Sequence, residues 1–241
     1  MPEPERNVAL LSSLRALVRG LSALFWGLPA ALVIAVQTAK GDWLKPLGFA
    51  PITLAMLLLL YGVIMLGKFQ MQERVWMAAI DRARFVALLN IGLSPFLFFW
   101  SKVSSNLFFT VTVEVMFMAM LTFLYLLNSV LARLAAMLPD ETLRGETRVF
   151  TRLNQTIVLI LVGSAPFYFV AKGAQTLPRI LVDMMLFFDR GGEFLLAMMG
   201  LIFILLPVAM TMALLWKTKE VIMTSVFSSA GHERVADSGQ K

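Results

Sequence analysis

The sequence contains six long stretches of apolar residues, and these decide whether the chain is expected to fold in water or in a lipid bilayer. They are 19, 19, 17, 25, 19 and 23 residues long, and only the fourth contains an ionisable side chain, Glu114. A hydrocarbon layer about 30 Å thick is crossed by roughly 20 helical residues at about 1.5 Å each. Each stretch is therefore predicted to be a membrane-spanning helix. The predicted spans are Leu21–Ala39, Phe49–Gly67, Phe85–Ser101, Leu107–Leu131, Leu153–Ala171 and Phe194–Trp216.

The composition agrees with a membrane protein. Hydrophobic residues make up 59% of the chain, charged residues only 15%, and the mean hydropathy is +0.80. Soluble domains are usually somewhat less than half apolar. Backbone amides in lipid must be paired within a helix or a closed barrel, and the unbroken run Leu57–Leu60 lacks the alternation of barrel strands. The predicted fold class is an all-α integral membrane protein with six transmembrane helices.

The distribution of positive charge predicts the orientation. With the N-terminus inside, 15 Lys and Arg residues lie in the inner segments and 6 lie in the outer loops. Positive residues accumulate on the cytoplasmic side of membrane proteins. We therefore predict that both termini are cytoplasmic and that the protein resides in the inner (plasma) membrane of a bacterium. The predicted regions are an amphipathic N-terminal segment over residues 1–20, a membrane domain over 21–216 and a C-terminal tail over 217–241.

The same charge distribution predicts the surroundings of the protein. The net charge of +6 lies largely on the inner face, where anionic lipid head groups are the expected partners. Nucleic acid is not an expected partner, because the basic residues are scattered between spans and form no separate domain. Partner protein subunits or a homo-oligomer are the other expected contacts.

Prolines punctuate the spans in a way that suggests a repeat. Pro29, Pro95 and Pro166 lie inside the first, third and fifth spans, 66 and 71 residues apart. A triplicated hairpin, with units related by an axis along the membrane normal, would produce this spacing. Because proline lacks the amide hydrogen and disturbs the helix around it, we predict helix hinges at these three positions and at Pro207 in the sixth span.

Three segments outside the spans mix apolar and charged residues. Lys68–Arg84 has one apolar and one charged face at helical spacing, which predicts an interfacial helix or a cytoplasmic extension of the second span. Ser129–Leu138 is expected to continue the fourth span as a helix. Thr176–Arg190 combines an apolar run with internal charges, which predicts an interfacial or re-entrant helix at the outer side.

Glu114 is the main candidate for a functional group inside the membrane. It lies roughly 10 Å into the predicted layer, where an ionised carboxylate is costly and is usually paired or exposed to water. We predict an outer polar cluster of Glu114, Tyr168 and Lys172 and an inner polar cluster of Asn90 and Asn128. These residues could hold helices together by hydrogen bonds, form a proton or cation site, or, in the case of Glu114, contact a partner subunit.

The residue types that usually perform catalysis are scarce. The chain has no Cys, and its one His, His232, lies in the predicted tail. No sequence motif of a hydrolase, a metalloprotease or a phosphate-binding loop is present. The sequence therefore predicts no catalytic residue, cofactor or metal site. A lipid-acting enzyme that uses Asp183, Asp189 or Glu193 at the outer face is a less favoured alternative.

Two functions remain in view. The favoured one is a non-enzymatic membrane-embedded subunit or scaffold of a larger complex, because polar groups are scarce in the spans and the inner connections are amphipathic. The alternative is a transporter or channel for a small solute, a proton or a cation, with Glu114 in the bundle interior. A single buried acid would not balance a multiply charged substrate.

Overall fold

Every regular element in the described part of the computed structural model is a helix, as predicted from the long apolar stretches of the sequence. The structure describes residues 3–70, 72–137, 141–173 and 204–224, and it describes their side chains except at 3–11, 141–143, 146 and 164–173. The helices are α1 (Glu3–Lys40), α2 (Ala50–Leu66), α3 (Arg74–Lys102), α4 (Leu107–Met137), α5 (Glu141–Gly173) and α6 (residues 204–224), with a 3-10 turn at Lys45–Leu47.

Three of the described helices are long and apolar enough to cross a membrane. They are Ser12–Lys40 within α1, α3 and α4, while α2 is apolar but has only 17 residues. The prediction of an all-helical fold compatible with a membrane protein is confirmed for these residues. The fifth predicted span lies in α5, where side chains are described only up to residue 163, and residues 194–203 of the sixth lie outside the described part.

The boundary between the second and third spans differs from the prediction. Residues Arg74–Arg84 belong to α3 and continue directly into the third predicted span, so the expectation of an extension of the second span, or of a separate interfacial helix, is wrong. The chain turns earlier, between Gly67 and Gln70, and Gln70 has a positive φ of 46°. Trp76 and Ile80 of the predicted apolar face are fully buried and pack against the bundle, whereas Val75 of the same face is 59% exposed.

Residues Thr176–Arg190, for which an interfacial or re-entrant helix is predicted, lie outside the described residues. The predicted helical continuation of the fourth span is confirmed up to Met137, where the described part of α4 ends.

A close approach of two glycines joins α1 to α2. A Cβ atom at Gly20 would lie 2.8 Å from the Gly62 carbonyl oxygen and 3.0 Å from the Leu66 amide nitrogen. A Cβ atom at Gly62 would lie 2.6 Å from Cγ of Leu24. Small residues at such points let helix backbones approach closely, which is a common means of helix association in membranes.

An apolar core runs between the first four helices, and large apolar side chains also cover the outside. Leu21 of α1, Leu59 of α2 and Leu127 of α4 are at most 2% exposed. In contrast, Trp26 and Phe85 are both 68% exposed on the outer surface of the described bundle. Exposed apolar surface on this scale is unfavourable in water and suits contact with lipid or with another membrane helix.

The loops after α1 and α3 lie at the same end of the bundle, which we call the Asp42 end. Lys45 forms an ion pair with Asp42 in the first loop. The hydrogen bond and charge of Lys45, together with the charge of Lys102 at the end of α3, hold the pKa of Asp42 below its ordinary value. An effect of Lys102 on Asp42 requires the two loops to be neighbours.

The opposite end, which we call the arginine end, brings the α2–α3 and α4–α5 connections together. Three arginines there donate hydrogen bonds to backbone carbonyls: Arg84 to Ile64, Arg133 to Val75, and Arg144 to Ala136. The loops after α1 and α3 lie at one end of the bundle, and the connections after α2 and α4 lie at the other. The first five helices therefore alternate in direction. The Ile64 carbonyl is one of the last four of α2, which have no donor within the helix, and Arg84 supplies one.

Candidate functional site

Two groups of buried polar side chains join helices inside the described bundle. One group connects α2 with α3 near Pro95, and the other connects α4, α5 and α6 around Thr211. Because a polar group buried among apolar side chains is costly unless it is hydrogen-bonded, the partners of each group show how its helices are held. They also show which polar atoms remain for another molecule.

The group at Pro95 compensates for the hydrogen bond that proline removes. Proline has no amide hydrogen, so the carbonyl of Ile91, one turn earlier, loses its usual donor. The Ser94 hydroxyl donates to that carbonyl at 2.9 Å, and it also lies 3.0 Å from the hydroxyl of Thr53 on α2. Side chains commonly satisfy carbonyls in this way at prolines in membrane helices. The predicted hinge at Pro95 is therefore joined to α2 by the hydrogen bond between Ser94 and Thr53.

The other three predicted hinges are placed as follows. Pro29 lies inside α1, between the buried Leu28 and the half-exposed Ala30. Pro166 falls within α5, but its side chain lies outside the described residues. Pro207 lies in α6, where its carbonyl accepts a hydrogen bond from Thr211 at 2.7 Å. Bending at these prolines remains a prediction.

The group around Thr211 connects three helices, and we call Asn128, Asn154 and Thr211 the polar junction. Thr211 accepts a hydrogen bond from the Asn128 amide at 2.8 Å and from the Asn154 amide at 2.9 Å, while donating to the carbonyl of Pro207. A hydroxyl has one donor and two acceptor positions, so that of Thr211 is fully used. All three side chains are completely buried.

Both members of the predicted inner polar cluster, Asn90 and Asn128, are buried. The Asn90 amide donates to the carbonyl of Val86 in its own helix at 2.9 Å, and Asn90 lines a small crevice between α2, α3 and α4. No described hydrogen bond joins Asn90 to Asn128, whose partner on another helix is Thr211. Thus the structure connects Asn128 with α6.

Sequence reasoning missed Asn154 and Thr211, although weak signals for both were present. Asn154 is the second residue of the predicted fifth span, and Thr211 follows Pro207 by one helical turn, where a threonine hydroxyl reaches the proline carbonyl. Helical periodicity shows which residues share a face of one helix. It does not show which face of another helix they meet.

The Glu114 side chain is half-buried, at the boundary between a buried and an exposed face of α4. Leu121, two turns further along, is 2% exposed, while the neighbouring Val111 and Val115 are 47% and 48% exposed. None of the described side chains forms a hydrogen bond or ion pair with Glu114. The side chains of its predicted partners, Tyr168 and Lys172, lie outside the described residues.

The two buried polar groups and Glu114 offer hydroxyls, amides and one carboxylate for chemistry or binding. Within the described ranges, no group of three His, Cys, Asp or Glu residues could hold a metal ion. The hydroxyls and amides are suited to joining helices, and the carboxylate of Glu114 can accept hydrogen bonds or pair with a cation.

Comparisons of the chain with protein-family models, with curated proteins and with solved structures find no match.

Proposed function

We propose that the protein is a non-enzymatic polytopic membrane protein that serves as a membrane-embedded subunit or scaffold of a larger complex. The observation that carries the proposal is the position of Glu114, which is a half-buried carboxylate at the boundary of an exposed face of the apolar helix α4. A carboxylate facing lipid would be strongly disfavoured. A hydrogen-bond donor or a cationic side chain on a helix of a partner protein would relieve that cost.

The surroundings of Glu114 support an interface with a protein. Val111, Val115 and Phe117 are each at least 40% exposed, so α4 presents an apolar surface on either side of the carboxylate. A Thr110 hydroxyl one turn away already accepts the indole N–H of Trp100 at 3.2 Å, so it is engaged within the chain. A polar group that no described side chain pairs, within an apolar face, specifies orientation and partner, because only a complementary group satisfies it.

The membrane topology belongs to the same proposal. Six spans, with both termini in the cytoplasm of a bacterial cell, would place the arginine end on the cytoplasmic side. Three observations support this arrangement: the alternating direction of α1–α5, the apolar length of the described helices, and the location of Arg84, Arg133 and Arg144 at one end. Anionic head groups at that face would be attracted to the remaining positive charge.

The test is purification of the full chain from its own membranes in a mild detergent, followed by native mass measurement. We expect a stable heteromer. Replacing Glu114 with Leu should reduce the recovered complex about tenfold, since an interhelical polar contact of about 1–2 kcal/mol corresponds to roughly that factor. Glu114→Gln keeps a hydrogen-bonding group and should lose less.

Val33→Leu is the matched control, because Val33 is an exposed residue of α1, outside the surface around Glu114, and the change keeps its apolar character. It should leave the complex intact. A monomer or homo-oligomer that dissipates a proton gradient in liposomes, and loses that activity in Glu114→Gln, would contradict the proposal and favour transport. A complex unaffected by Glu114→Leu would remove Glu114 from the interface.

A further inference from the structure

Five buried oxygen atoms on α4, α5 and α6 have no hydrogen-bond partner among the described residues. Two are the amide oxygens of Asn128 and Asn154, and the other three are threonine hydroxyls, at Thr147, Thr151 and Thr218. Each of these five side chains is at most 5% exposed. Unsatisfied buried polar groups are rare in proteins, so these five atoms require partners that the described side chains do not supply.

The five residues occupy connected faces of three helices. Thr147, Thr151 and Asn154 are spaced four and three residues apart, which places them on one face of α5. Thr211 and Thr218 are seven residues apart, which places them on one face of α6. Since Asn154 and Asn128 both donate to Thr211, the faces of α4, α5 and α6 meet at the junction. We call these six residues the polar seam.

The two asparagine amides show what kind of partner is missing. The amide nitrogens of Asn128 and Asn154 both donate to Thr211; that of Asn128 also donates to the carbonyl of Leu124, and that of Asn154 to the carbonyl of Pro207. What remains on each is an amide oxygen, which only accepts. The partner must therefore supply hydrogen-bond donors or positive charge.

The length of the seam distinguishes between these two possibilities. Thr147 and Asn154 are seven residues apart, which is about 10 Å along α5. One cation holds its oxygen ligands at about 2.4 Å, so it cannot reach both. The exposed Arg148 and Arg152, on the same helix, also make the region unfavourable for a cation. Water donates and accepts, and several molecules can occupy a line.

We infer that water molecules occupy the polar seam, along α5 from Thr147 to the polar junction and along α6 from Thr218 to the same junction. Each water bridges hydroxyl and amide oxygens that the other described residues leave unpaired. Buried waters typically make about three hydrogen bonds to such groups. The three helices around the seam are thereby held by polar contacts through water as well as by apolar packing.

The absence of Cys from the sequence allows a direct test with single cysteines at Thr147, Thr151 and Thr218. A cysteine reacts with 2-aminoethyl methanethiosulfonate as the thiolate, which forms readily only in contact with water. Val158→Cys and Leu215→Cys are matched controls, because both residues are at most 1% exposed on the same two helices. We expect the three seam cysteines to react at least about tenfold faster than the controls. Equal rates would overturn the inference.

Thermal unfolding of Thr218→Val and Thr151→Val, which keep the side-chain shape, gives a second measurement. In a dry seam, removing an unpaired hydroxyl relieves a cost and raises Tm. In a hydrated seam, the same change deprives a bound water of a partner and lowers Tm. A raised Tm in both variants would overturn the inference even if cysteine labelling were fast, and size-exclusion profiles verify that each variant is folded.

Discussion

At the scale of single residues, the structure shows polar side chains completing hydrogen bonds that the helical backbone cannot make. Ser94 donates to the carbonyl that Pro95 deprives of its amide donor, and Thr53 connects this point to α2. We predict that Ser94→Ala lowers the free energy of unfolding by about 0.5–1.5 kcal/mol, because the Ile91 carbonyl loses its donor. Thermal unfolding of the detergent-solubilised protein measures the effect.

Ser101→Ala is the control for this prediction. The Ser101 hydroxyl also donates to the carbonyl three residues earlier, that of Phe98, at 2.7 Å. Lys102 is not a proline, so its amide can donate to the same carbonyl. Removing the Ser101 hydroxyl should therefore cost less than removing that of Ser94. If the two serine variants unfold at the same temperature, the hydroxyl of Ser94 has no special role at the proline.

At the scale of helices, close packing of α1 on α2 depends on two glycines. Gly20→Ala would place a methyl group 2.8 Å from the backbone oxygen of Gly62, and a backbone atom cannot rotate away as a side chain can. We predict a loss of about 1–3 kcal/mol in unfolding free energy, which is typical of overpacking. The loss should appear as a lower Tm in detergent.

Gly92→Ala is the matched substitution, because Gly92 also lies inside a helix but has no atom within 4 Å of the position of a Cβ. Alanine in an unobstructed helical position stabilises by about 0.4–1 kcal/mol, through the lower entropy of the unfolded chain. The two changes should therefore have opposite signs. A stabilised Gly20→Ala protein would mean that α1 and α2 do not approach as closely as described.

The helices also show what the sequence can and cannot reveal. Helix formation in the long apolar windows was predictable, because a segment that crosses lipid must pair its amides within a helix or a closed barrel, and these windows lack the alternation of barrel strands. The start of α3 at Arg74 was not, since the charges of Lys68–Arg84 suggested a membrane surface while Trp76 in fact packs inside. The pairing of Asn128 with Thr211 depends on how α4 and α6 meet, and periodicity within one helix carries no information on that.

At the scale of the whole molecule, the two ends of the bundle make the topology testable. The loop after α3 lies at the Asp42 end and the loop after α2 lies at the arginine end, and the proposed orientation exposes them on opposite sides of the membrane. Ser104 and Gln72 are exposed residues in these loops, and the chain has no other cysteine to interfere. In spheroplasts, an impermeant maleimide should label Ser104→Cys, and it should label Gln72→Cys only after permeabilisation.

Two further cysteines extend the test to the number of spans. With six spans, Gln175→Cys is on the same side as Ser104→Cys, and Ser229→Cys is on the same side as Gln72→Cys. Each span takes the chain to the other side of the membrane, so with five spans Ser229→Cys would lie on the same side as Ser104→Cys. Labelling of Ser104→Cys and Gln72→Cys from the same side would contradict the hairpin arrangement itself. Labelling of Ser229→Cys in intact spheroplasts would contradict only the sixth span, since the alternation of α1–α5 would still stand.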